Sequence, residues 1–182
     1  MNEKIKSFFY KYCSDITKRL DSINFSDFLI LRKKIFQLNK KNKIILIGNG
    51  GSASISSHVA VDFTKFTNFR ATCFNEANLI TCFANDYNYE NWAKKALEFY
   101  AIPGDIIILI SSSGKSKNLI NACSFAKKKK YFVSTFTGFE KNNPLSRLGN
   151  INFWVNSKKY NYVEMIHHIW LVALVDSFLE KK

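Results

Sequence analysis

Lys43-Ile44-Ile45-Leu46-Ile47-Gly48-Asn49-Gly50-Gly51-Ser52 is the stretch on which the fold turns. The aliphatic run reads as a buried strand, and it closes in a small, polar, glycine-rich turn. Helical spacing resumes at once, from about Ala53 to Phe66. A strand that becomes a helix through such a turn leaves backbone N–H groups unpaired at the helix start, where the helix dipole favours an anion. The plan is repeated downstream, where Asp105-Ile106-Ile107-Ile108-Leu109-Ile110 runs into Ser111-Ser112-Ser113-Gly114-Lys115-Ser116. Two such turns on one edge of a sheet would grip the two ends of a phosphorylated sugar.

Working outward, residues 1–42 read as helices. Phe8, Phe9, Tyr12, Ile16, Leu20 and Ile23 recur at helical spacing, and Phe28, Leu31, Ile35 and Leu38 do so again after a break near Ser26-Asp27. These helices carry no evident chemistry and are expected to cover the sheet or build a subunit interface. Residues 43–182 alternate strands and helices. Short strands are expected at 70–74, 131–137 and 151–155, and helices at 75–83, 90–100, 117–128 and 162–179. A polar loop is expected at 84–89, and a loop with a short helix at 138–146. That alternation implies an α/β three-layer sandwich, a five-stranded parallel sheet covered on both faces and preceded by the N-terminal helices. The whole is expected to form one structural domain.

The chain has 182 residues, with 27 Lys and Arg against 14 Asp and Glu, a formal charge of +13. The basic residues are scattered, with no Arg-rich stripe interleaved with aromatics, so no nucleic-acid partner is expected. Only seven glycines are present, and four of them, Gly48, Gly50, Gly51 and Gly114, lie in the two turns. Cys13, Cys73, Cys82 and Cys123 form no closely spaced pair, as suits reduced cysteines in a cytosolic protein. No apolar run reaches membrane-spanning length, and no leader is legible. The expectation is a cytoplasmic protein with no membrane partner.

Four motifs, taken in order and spacing, resemble the sugar isomerase (SIS) domain, and within it the phosphoheptose isomerases. They are Gly48-Asn49-Gly50-Gly51-Ser52-Ala53, Asn85-Asp86-Tyr87-Asn88-Tyr89-Glu90, Pro103-Gly104-Asp105 and Ser111-Ser112-Ser113-Gly114-Lys115-Ser116-Lys117-Asn118. The resemblance implies conversion of sedoheptulose 7-phosphate to D-glycero-D-manno-heptose 7-phosphate, an aldose–ketose isomerisation feeding heptose synthesis for surface polysaccharide. It implies a homotetramer and a bound zinc ion. It also implies that substrate is held by Asn49, Gly50, Gly51 and Ser52, by Asn85 and Asp86, and by Ser111, Ser112, Ser113 and Ser116.

The same resemblance places a metal-binding and catalytic His/Glu pair on the helix after the glycine turn, where this chain has His58 and Asp62. On the last helix the family carries Gln-Glu, with a catalytic His eight residues after the Gln. Matching Glu164 to that Glu puts Val163 and Leu171 at the Gln and His positions. His167 and His168 lie within one turn of Leu171, and one of the two is expected to serve the pocket in its place. Asp62 and His168 are thus the expected catalytic pair, and His58 and Asp62 the expected metal ligands. A non-catalytic phosphosugar sensor or protein-binding scaffold is the alternative, since the Gln and His positions are substituted.

Overall fold

The computed structural model describes residues 2–180. Two helices come first, α1 (Asn2–Leu20) and α2 (Phe25–Phe36), followed by β1 (Ile44–Gly48) and α3 (Gly51–Phe66). Next are β2 (Ala71–Cys73), α4 (Ala77–Tyr87), α5 (Trp92–Tyr100), β3 (Ile106–Ser111) and α6 (Lys117–Lys128). The chain ends in β4 (Phe132–Thr137), β5 (Ile151–Trp154) and α7 (Tyr160–Asp176).

Every residue of β1 and β3 is buried, because successive side chains of an aliphatic strand feed opposite faces of a covered sheet. Ile44 and Leu46 join one core with Leu31 of α2, Phe63 of α3 and Leu171 of α7. Ile45 and Ile47 join the other with Trp92 and Leu97 of α5 and Leu119 and Cys123 of α6. The result is three layers. The five strands run parallel in the order β2-β1-β3-β4-β5.

That order has one reversal. The chain leaves β1 towards β2 on one side and later returns to β3 on the other, so a crevice opens at the carboxyl ends of β1 and β3. Ligands of open α/β sheets bind at such a switch point. Gly48 pairs in register with Ile110, so the glycine turn and the serine turn leave adjacent strands at the same edge.

Three local expectations are corrected. The break between the first helices falls before Phe25, not at Ser26-Asp27, because the Asn24 side chain accepts the Asp27 N–H (3.3 Å) and caps α2. Residues 84–87 are helical and not a loop. Phe83 and Tyr87 stack near Phe99 of α5 at 5.6 and 6.5 Å, and this packing carries α4 a turn past its apolar stretch. Residues 138–146 contain no helix. The buried Asn143 side chain instead donates to the Glu140 carbonyl (2.9 Å) and accepts the Ser146 N–H (2.9 Å), replacing a helical ladder with side-chain bonds.

Candidate active site

The first wall of the crevice is the glycine turn. Gly50 sits at φ +56°, a left-handed conformation that a side chain would strain, and it swings the chain from β1 into α3. The Asn75 side chain steadies the end of β1 by accepting the Gly48 N–H (3.2 Å) and donating to the Gly48 carbonyl (2.7 Å). Ser52 is buried in the first turn of α3.

The serine turn forms the second wall. Ser111 and Ser112 are buried, and the Ser111 and Ser116 hydroxyls lie 3.1 Å apart. The Ser113 hydroxyl accepts the Lys115 N–H (3.2 Å), closing the turn through Gly114 at φ +64°. Ser116, the N-cap of α6, makes no side-chain bond to its own helix, and among the described residues the Lys117 and Asn118 N–H groups of the first turn have no partner and can meet a ligand. The Ser112 hydroxyl is buried and has no partner among the described residues.

One contact ties the walls together. The Asn49 and Asn118 amides pair reciprocally, each donating to the other at 3.0 and 2.9 Å, and the Tyr89 hydroxyl donates to the Asn49 oxygen (3.3 Å). Neither Asn118 nor Tyr89 was singled out from the sequence. The signal for Asn118 was an asparagine two residues past the serine turn that a helix interior has no use for.

Asn85 and Asp86 are not drawn into this constellation. Both lie exposed on α4, bonded to each other (3.0 Å), and among the described residues no hydrogen bond joins them to either turn. The loop just after them reaches the crevice through Tyr89.

A second cluster sits further along α3. His58 Nε2 and an Asp62 oxygen are 3.0 Å apart, one helical turn from each other. The His168 ring of α7 meets the His58 ring edge to face, with centroids 4.7 Å apart. Burial, with His58 adding to it, lowers the His168 pKa, although Asp62 opposes that shift. The structure separates the two histidines of α7. His167 is fully buried, its Nε2–H donating to the Thr137 carbonyl (3.1 Å), and burial depresses its pKa to about 4. Only His168 reaches His58.

Seven residues separate Gly51 from His58, which places the cluster about 10 Å down the α3 axis from the glycine turn. The donors also fit a zinc ion poorly. His58 and Asp62 are engaged with each other, and Val163 and Leu171 are both 0 % exposed and apolar at the Gln and His positions. Among the described residues no three His, Cys, Asp or Glu side chains are set around a common point.

Comparison with known proteins follows this geometry. Residues 9–138 match the SIS domain family. Over 106 residues the chain is 40% identical to the phosphoheptose isomerase of Thermodesulfovibrio yellowstonii, covering 55% of this chain and about half (53%) of that protein. It is 34% identical over 140 residues to the phosphoheptose isomerase of Crocosphaera subtropica, covering 73% of this chain and 70% of the relative. Among solved structures, the phosphoheptose isomerase of Neisseria gonorrhoeae superposes with a TM-score of 0.87 at 22% identity, over 97% of this chain and 98% of that one. The likeness at that identity is one of fold.

Proposed function

The chain belongs to the SIS domain family, and from that premise we propose that it is a phosphosugar isomerase acting on a seven-carbon ketose phosphate. The observation that carries this reading is the pairing of the two turns. They leave neighbouring strands at the sheet's one reversal and are bridged by Asn49 and Asn118. The relatives named phosphoheptose isomerase support the choice of reaction.

In this reading the serine turn and the start of α6 take the phosphate through hydroxyl and N–H donors. The glycine turn takes the hydroxyl-bearing chain through Asn49 and Ser52. Asp62 or His168 removes the proton next to the carbonyl and returns it to the neighbouring carbon, and the reaction passes through an enediol. The separation of about 10 Å between the glycine turn and His58 favours a long, extended sugar phosphate over a three-carbon one. The site is proposed to work in the cytoplasm, feeding heptose to surface polysaccharide. Among the described residues, no helix is long and apolar enough to cross a membrane.

One observation favours a second reading. Val163 and Leu171 are sealed in the core where the family carries Gln and His, so a binding pocket without turnover, a sensor or scaffold, would also suit them. Incubation with sedoheptulose 7-phosphate, with chromatographic resolution of the aldose and ketose products, separates the two. The isomerase reading expects turnover that survives a chelator. A rise in melting temperature with the same ligand and no product would instead establish the sensor.

A further inference from the structure

The proposed reaction moves protons at oxygen as well as at carbon, and the crevice has a carboxyl group that the reading above leaves unused. α7 runs alongside α3 in the same sense, so that Glu164 meets Gly51, His168 meets His58 and Phe178 meets Phe63. The space a side chain would fill at Gly51 is taken by the Glu164 carboxyl. A Cβ built there would collide with both of its oxygens.

Among the described residues that carboxyl makes no hydrogen bond and no ion pair. A carboxylate that merely caps a helix start accepts its N–H groups and is stabilised in its charged form. Glu164 is half-buried and its pKa is raised, with burial as the cause and no hydrogen bond or neighbouring cation to offset it. Asp62 is not an alternative at this point. It lies eleven residues past Gly51, about 16 Å down the helix axis, and is paired with His58. His168 is four residues on from Glu164, so the two groups share one face of α7 a single turn apart.

We propose that Glu164 is a catalytic residue that carries the proton between the two oxygens of the substrate during isomerisation, an assignment that rests on the isomerase reading given above. As His168, one turn away on α7, removes the carbon proton, the Glu164 carboxylic acid gives its proton to the carbonyl oxygen. The C–H electron pair becomes the C=C bond of the enediol. As the neighbouring carbon is then protonated, the Glu164 carboxylate takes the proton of the second hydroxyl, whose oxygen becomes the new carbonyl. Nothing is oxidised or reduced overall, and the carboxylic acid is regenerated.

The test compares wild type, Glu164→Gln and Glu164→Asp in the sedoheptulose 7-phosphate assay, with melting temperatures as a folding control. Glu164→Gln keeps the size and polarity but cannot carry a proton. Its kcat is expected to fall about 100-fold or more, with KM changed less than about threefold. Glu164→Asp is expected to recover part of the rate, and it stands in should the Gln variant fail to fold. A kcat for folded Glu164→Gln within threefold of wild type overturns the assignment alone. A wild type with no turnover on any sugar phosphate overturns the isomerase reading, and this assignment with it.

Discussion

Asn118 and His167 show how two buried polar side chains of similar size serve different ends. Asn118 spends its amide on Asn49 and so joins two turns that are 69 positions apart in the chain. Truncating it leaves the Asn49 amide with two unmade bonds at a half-buried site, a loss of about 1–3 kcal/mol. Asn118→Ala is therefore expected to lower the melting temperature and to weaken sugar phosphate binding about tenfold or more, both read by thermal titration with ligand. His167 works through protonation. Its folded pKa, about 4, lies below the unfolded value near 6.5. Between those values the unfolded chain binds the proton more tightly, so the stability tied to neutral His167 is complete above about pH 6.5. It is lost progressively as the pH falls towards 4, by roughly 3 kcal/mol. Denaturant melts of wild type and His167→Phe across pH 4–7 should show a steeper acid loss in wild type.

At the scale of elements, the serine turn depends on a glycine more than on its serines. Gly114 has φ +64°, and a Cβ there would collide with the Asn143 side chain that organises the 138–146 loop. Gly114→Ala is expected to destabilise the protein by about 1–3 kcal/mol, from left-handed strain plus the collision. It should also abolish phosphate-dependent stabilisation, as differential scanning with and without sugar phosphate would show. The strands and helices of this region were readable because two aliphatic runs end in turn residues, and each such pattern is local. The status of 84–87 was not readable in the same way. Asn85 and Asp86 look like loop residues until Phe83 and Tyr87 are seen resting near Phe99 of α5. The same blindness hid Tyr89 and Asn118, whose partner Asn49 belongs to a different element.

On the scale of the whole molecule, α1 presents an uncovered apolar surface. It buries none of its residues, and Ile5, Phe8 and Phe9 are 61%, 65% and 60% exposed. Val61 of α3 and Met165 and Ile169 of α7 are further exposed apolar side chains. Exposure on this scale suits an association surface, and light scattering tests the homotetramer that the family resemblance implies. Phe8→Asp with Phe9→Asp should shift the mass towards that of the single chain while leaving the helical content unchanged. What the sequence determined by itself is whatever rests on neighbours along the chain. Those features are the buried strands, the turn chemistry that opens helix starts to an anion, and the alternation that makes a covered parallel sheet. Only tertiary structure could decide which of two adjacent histidines faces His58, because one residue of helix turns the side chain by about 100° and packing chooses between core and groove. It alone could set Glu164 against Gly51 and leave Asn85 and Asp86, among the described residues, without a hydrogen bond to either turn. Those outcomes depend on how α7 and α4 lean on elements far away in sequence, and no spacing along the chain encodes that angle.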